Sequence, residues 1–167
     1  YGQKRLDEYI VPQNNITWVH QDPQLGTGHA VQVAFREIDG VPNTKILICN
    51  GDAPFIKRET IRKITSAQFE ASLLLCDVAN PHGYGRIVER DGVFDKIVEE
   101  KDCSLEEKLV KKVNCGVYAF ESAVLCKYLP LLQNKNAQHE YYLTDIIELI
   151  KIGEKIKIDL YDICEDK

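Results

Sequence analysis

The sequence predicts an α/β domain in which a mixed, mostly parallel sheet is flanked by helices. Three observations lead there. The runs Lys45-Ile46-Leu47-Ile48-Cys49 and Ala71 to Val78 are almost continuously apolar, as in strands covered on both faces. Segments with a helical spacing of apolar residues separate the strand-like runs. The 167 residues contain no repeat, linker or low-complexity block, and that length suits one domain with a sizeable core.

Taken in order, Ile16–His20 reads as a short strand, and Thr27–Ile38 as a helix with Ala30, Val33, Ala34 and Ile38 on one face. Lys45–Cys49 is a buried strand, followed by a helix over about Lys57–Ala67 with Ile61 and Ile64 facing inward. Ala71–Val78 is a second buried strand. Arg86–Arg90 and Val93–Val98 form a hairpin, because the intervening Asp91-Gly92 suits a type I′ turn. Val117–Phe120 is a strand, and Ser122 can cap a helix running to about Leu132. A helix over Leu143–Ile152 ends at Gly153, and Lys155–Leu160 closes the domain as a strand.

Lysine and arginine number 21 against 26 acidic residues, a net charge of −5. Proteins that bind nucleic acid or anionic membranes through charge carry the opposite sign, so neither is an expected partner. No apolar run approaches the ~20 residues that span a bilayer, and no basic-then-apolar leader opens the chain, so the expected compartment is the cytoplasm. Cys49, Cys76, Cys103, Cys115, Cys126 and Cys164 form no CxxC pair and no zinc spacing, and are expected mostly as small buried hydrophobes. The chain has no methionine, which predicts that the polypeptide starts upstream of Tyr1.

Several segments could carry chemistry. Leu25-Gly26-Thr27-Gly28-His29-Ala30 lies between a strand and a helix, where glycines let backbone approach a ligand and N–H groups attract anions. It lacks the third glycine of a dinucleotide fingerprint and the Lys-Ser/Thr of a P-loop, so a tight turn with Thr27 as N-cap stands beside the ligand reading. Asn50-Gly51-Asp52 follows the first buried strand. Ligands of open α/β sheets bind beyond strand carboxyl ends, and a carboxylate there can hold Mg²⁺. Capping of the next turn is the alternative role for Asp52. Gly83-Tyr84-Gly85-Arg86 either presents backbone N–H groups or merely turns the chain. Glu99-Glu100-Lys101-Asp102 is a charge run of the kind that usually marks a solvated surface. Asn114 can read sugar hydroxyls or satisfy a turn, and Glu140–Asp145 opens the last helix with Thr144 as a candidate cap.

In their order and intervals, Gln21, LGTGHA, NGD, GYGRI, EEKD, NCG and EYYLTDI resemble the sugar-1-phosphate nucleotidyltransferase family, and within it the N-acetylglucosamine-1-phosphate uridylyltransferase domain. The resemblance runs from Tyr1-Gly2 to about Lys155. It implies a Rossmann-like nucleotide-diphospho-sugar transferase fold. It also implies an enzyme that couples UTP with N-acetylglucosamine 1-phosphate, using Mg²⁺, to give UDP-N-acetylglucosamine and pyrophosphate. By the same resemblance, Gln21, Gly26 and Thr27 recognise uracil, Asn50 and Gly51 touch the nucleotide-sugar, and Asp52 holds the metal. Gly85, Glu99 and Asn114 hold the acetamido sugar, flanked by Tyr142 and Thr144. The sugar phosphate is already an anionic nucleophile, so no protein nucleophile is expected, and His20, His29, Cys103 and Cys115 are not catalytic candidates. Two other readings stay open: a sister enzyme using glucose 1-phosphate or TTP, and a non-catalytic module that binds sugar nucleotides. A homo-oligomer is compatible with either.

The chain departs from the family pattern at four positions. Asn50 stands where an aromatic residue often precedes the GD pair, Glu100 replaces a common histidine, Cys115 a threonine and His139 a glycine. The family's N-terminal phosphate loop and a later metal-binding asparagine are not among these 167 residues. They are therefore expected to form part of one nucleotidyltransferase domain in a longer polypeptide, and to be inactive and poorly stable alone.

Overall fold

The computed structural model describes residues 16–38, 43–53, 56–153 and 158–162. In chain order its elements are α1 (Thr27–Glu37), β1 (Lys45–Cys49), α2 (Arg58–Ser66), β2 (Ala71–Asp77), β3 (Arg86–Arg90), β4 (Val93–Val98), β5 (Lys112–Glu121), α3 (Ser122–Tyr128), α4 (Asp145–Gly153) and β6 (Ile158–Asp162). Single 3₁₀ turns lie at Glu107–Leu109 and Leu129–Leu131.

β5 is the axis of the sheet. β2 runs antiparallel along one edge, from Ala71 opposite Phe120 to Asp77 opposite Lys112, and β6 adds beyond β2 in parallel. On the other edge, β1 pairs with the carboxyl half of β5, ending with Cys49 opposite Val117. β3 meets the same edge only at Arg86 opposite Val113, and carries β4 outside it as a hairpin. Between these two neighbours the edge opens at Asn114–Gly116. The β2 register also skips there, between Leu73 and Leu75, and Gly116 takes φ +69°. One bulge in one strand therefore splits the sheet edge into a crevice.

The core lies on both faces. Leu73, Leu75, Tyr118 and Phe120 pack against Leu125 and Tyr128 of α3 and Ile146, Ile147 and Ile150 of α4. Leu74, Val117 and Ala119 point the opposite way, beneath Ile64 of α2. Helices on both sides explain why β1 and β2 read as unbroken apolar runs. Among the described residues, no helix is long and apolar enough to cross a membrane.

The sequence and the structure differ in particular places. Of the pairings among described strands, only β2 with β6 is parallel, so the sheet is mixed but mostly antiparallel. Apolar continuity reports cover on two faces and carries no information on strand direction. Ile16–His20 is not a strand: no described strand runs beside it, and Trp18 is 46% exposed. Strand 117–120 extends back to Lys112, because β2 pairs with that part. The inward face of α1 carries Gly28, Val31 and Phe35, whereas Ala34 and Ile38 are exposed. Gly28 is the contact point, donating to Tyr141 O at 2.7 Å, and the bare backbone sets the helix rotation. Ser122 does not cap α3; it accepts a 3.3 Å bond from Thr44 N. The helix over 122–132 relaxes to a 3₁₀ turn at Leu129, next to Pro130. α4 begins at Asp145, and the start of the closing strand, 155–157, lies outside the described residues.

Candidate functional site

The two most distinctive motifs of the sequence are zipped together. Tyr141 N donates to Leu25 O at 2.8 Å, Gly28 N to Tyr141 O at 2.7 Å, and Leu143 N to the Thr27 hydroxyl at 3.0 Å. Gly26 fits this seam only as glycine: at φ +103° an added Cβ would lie 2.8 Å from both Glu140 Cβ and Tyr141 O. Gln21 braces the loop from outside, its amide donating to Gly26 O at 3.0 Å and lying 3.0 Å from His29 Nδ1. Thr27 is therefore the first residue of α1 and an acceptor for the second motif, with Gly26 at the N-cap position.

This seam forms one wall of a cavity of about 1580 Å³ that fills the split in the sheet edge. At one end lie Gly85, Glu99 and Asn114. Gly85 O accepts from Asn114 N at 2.9 Å, and a Cβ on Gly85 would sit 3.3 Å from Glu99 Oε2. Glu99 Oε1 accepts a 2.8 Å bond from the Thr144 hydroxyl, just before α4. Burial pushes the Glu99 carboxyl above its usual range, the neighbouring Asp102 adding to that against the Thr144 bond. Asn114 is buried and half engaged: its Nδ2 donates to Tyr118 OH at 2.5 Å and its Oδ1 accepts from Gly116 N at 3.2 Å. One N–H and one lone pair remain on the amide.

In the charged run 99–102, Lys101 and Asp102 are exposed, and the acidic side chains act as braces. Glu100 pairs with Arg86 at 2.6 Å, and Asp102 accepts from Tyr142 OH at 3.1 Å and Ala137 N at 2.9 Å. Desolvation and the Asp102 bond raise the Tyr142 phenol. Beside them, burial pushes Asp145 up to about 6, with Glu148, Glu99 and Asp102 contributing.

Asn50 and Asp52 also line the cavity, on the turn that leaves β1. Asn50 N donates to Gly116 O at 3.0 Å, and its side chain covers Gly116 so closely that a Cβ there would collide with the amide. Asp52 is exposed on the cavity wall. No group of three or more His, Cys, Asp or Glu among the described residues could hold a metal. A single carboxylate at a strand tip does fit an ion that retains waters and arrives with phosphates, as Mg²⁺ does.

Of the nine residues expected in the site, Thr27, Asn50, Asp52, Gly85, Glu99 and Asn114 share this cavity. Gln21 and Gly26 do not line it, and Gly51 lines an adjoining apolar groove that shares Thr27, Asn50 and Leu143 with it, beside Val31 and Phe35. Sequence reasoning did not single out the basic residues on the wall, Lys57, Lys101, Lys108 and His82. Lys57 and Lys108 are isolated in sequence, whereas Lys101 lies inside the 99–102 run and His82 directly precedes Gly83-Tyr84-Gly85. The cysteines also differ from expectation: of the five described, only Cys103 is buried, and all are free thiols. Cys76 and Cys115 line the cavity instead, because the bulge of β5 uncovers the sheet there.

A crevice beyond the carboxyl end of a buried strand, where neighbouring strands part, is the build of a nucleotide-binding α/β domain. The sequence profile of the nucleotidyl transferase family matches residues 3–160, and the chain belongs to that family. It is 47% identical over 161 residues to a bifunctional protein GlmU of Clostridium botulinum, covering 93% of this chain and 35% of the relative. It is 40% identical over 162 residues to a bifunctional protein GlmU of Caldicellulosiruptor saccharolyticus, with the same coverage of 93% and 35%. The chain thus spans about a third of the length of these curated relatives. A crystal structure from Bacillus anthracis, described as a glucose-1-phosphate thymidylyltransferase in complex with a sucrose, superposes with a TM-score of 0.60 at 19% identity, covering 88% of this chain and 56% of the other. That likeness bears on the fold.

Proposed function

We propose that the chain is the catalytic part of an N-acetylglucosamine-1-phosphate uridylyltransferase, transferring UMP from UTP to the sugar phosphate and releasing pyrophosphate. One observation carries this reading. A half-buried, Thr144-anchored Glu99 lies against Gly85 in a cavity that Asn114 and the strand-tip carboxylate of Asp52 also line. The curated relatives named bifunctional protein GlmU support the same branch of the family.

In this reading a phosphate oxygen of the sugar ester attacks the α-phosphorus of UTP. The new P–O bond forms as the bond to the bridging oxygen breaks, and the electron pair leaves with pyrophosphate. No proton needs moving, so the chain works by orientation and charge. Glu99 accepts from a sugar hydroxyl, Asn114 offers its remaining N–H to the acetamido group, and Gly85 leaves room for the ring. Thr27 and Asn50 lie toward the nucleotide, and Gln21 and Gly26 shape its loop from behind. Lys57, Lys101 and Lys108 offset phosphate charge. Asp52 would hold Mg²⁺, which supplies charge neutralisation on the phosphates when bound. The protein works in the cytoplasm, as a domain of a longer chain.

The test is pyrophosphate release by the intact protein with UTP, N-acetylglucosamine 1-phosphate and magnesium. Turnover should exceed that with glucose 1-phosphate or TTP, and Asp52→Asn should slow it at least about a hundredfold while raising the magnesium needed. Faster turnover with glucose 1-phosphate would reassign the substrate. Binding of UDP-N-acetylglucosamine with no turnover would make this a binding module.

A further inference from the structure

We propose that Arg86 and Glu100 form a positioning clamp that sets the Gly83–Gly85 loop against Glu99 and so fixes the dimensions of the sugar subsite. The inference rests on the proposed function for the identity of that subsite. Its evidence is the hydrogen bonding of one buried cation.

Arg86 opens β3 and is 1% exposed, and its buried Nε has no hydrogen-bond partner, so the two terminal nitrogens carry all of the pairing that this buried cation has. Nη2 donates to Glu100 Oε2 at 2.6 Å, and Nη1 donates to the carbonyl of Tyr84. The same Glu100 oxygen accepts the backbone N–H of Gly83 at 3.2 Å. One carboxylate oxygen thus receives a donor from each end of the turn 83–86, and the guanidinium holds the carbonyl in its middle. Little else secures this turn to the sheet. β3 touches β5 at the single pair Arg86–Val113, and the only further backbone tie from the turn to β5 among the described residues is Asn114 N to Gly85 O.

Glu99 and Glu100 divide the work by pointing in different directions. Both line the cavity, but Glu99 takes its bond from Thr144, whereas Glu100 takes the loop. Because the two are adjacent, the clamp sets how far Gly85 lies from the Glu99 carboxylate, where a Cβ would already be in contact at 3.3 Å. Loss of Glu100 leaves a buried guanidinium unpaired and frees the N–H of Gly83. The turn, with glycines at 83 and 85, is then held above Glu99 only by the Asn114 bond to Gly85 O and the strand pairing of Arg86. The nucleotide end, built on β1 and Gly116, does not share these bonds.

The experiment compares Glu100→Ala, Glu100→Gln and Glu100→Asp in the intact protein, reading KM for each substrate, kcat and the thermal midpoint. Glutamine keeps an acceptor oxygen that can take both donors, whereas aspartate falls one carbon short. Glu100→Ala and Glu100→Asp should raise KM for N-acetylglucosamine 1-phosphate about tenfold or more with kcat little changed, the signature of lost ground-state binding. KM for UTP should stay within about twofold, and Glu100→Gln within about threefold of the unaltered enzyme for both substrates. If alanine prevents folding, the aspartate variant carries the same comparison. The clamp is overturned if both KM values rise together, if glutamine is as damaging as alanine, or if sugar KM does not move. These failures leave the proposed function standing, whereas no turnover by the unaltered protein removes both.

Discussion

The backbone N–H of Leu143 donates a 3.0 Å hydrogen bond to the hydroxyl of Thr27, across 116 residues of sequence. Leu143 is buried, so that N–H has no recourse to water. A side chain at the start of α1 thereby fixes the strand-like segment leading into α4, and both lie on the cavity wall.

Thr27→Val keeps the shape and removes the acceptor. It should destabilise the protein by about 1–3 kcal/mol, the cost of a buried unsatisfied donor. Thr27→Ser retains the oxygen and should cost less. Chemical denaturation of the two variants side by side decides it; equal losses would mean that the methyl group, and not the hydrogen bond, matters.

Binding of the sugar phosphate should weaken on the acid side because of Glu99. Burial raises its carboxyl, so it takes up a proton at a higher pH than an ordinary glutamate and loses acceptor strength as pH falls. Glu99→Gln should have a higher KM for the sugar phosphate at neutral pH and a flatter acid limb. A parallel change in KM for UTP would assign the limb to another group.

Asp145 makes the opposite kind of statement, about stability. Its carboxyl sits at about 6 in the folded protein against an ordinary 3.8, so the folded state holds the proton more tightly. The stability this provides is fully present below the unfolded value and is lost as pH rises through about 6. Asp145→Asn, neutral throughout, should raise the thermal midpoint at pH 7.5 and leave it nearly unchanged at pH 4. Equal shifts at both pH values would exclude charge as the cause.

His139 occupies the left-handed region, φ +56°, where the resembled family carries glycine. It is exposed, and its N–H donates to Asn136 O at 3.2 Å, a bond that glycine can also make. His139→Gly should therefore stabilise the loop 136–140 by up to about 1 kcal/mol. Loss of stability would show that the imidazole makes a contact that outweighs the backbone strain.

The sequence by itself determined most of the element types and six residues of the crevice. The Asp91-Gly92 hairpin forms with positive φ at both turn residues, 54° and 73°, as its turn chemistry requires. Motif order also marked Thr27, Asn50, Asp52, Gly85, Glu99 and Asn114, which meet in one cavity. These are local properties: turn residues, apolar runs and short motifs carry their own signal in consecutive positions.

Only the tertiary structure decided which way β5 runs, where its bulge falls, and that Glu100 and Asp102 brace loops. It also decided that Gly28 sets the rotation of α1 and that Gln21 supports its loop from outside the cavity. Each of these depends on a partner dozens of residues away or on a backbone atom, such as the carbonyls of Tyr141 and Tyr84. Every residue type carries the same carbonyl, so no side-chain pattern can reveal which of them will be met.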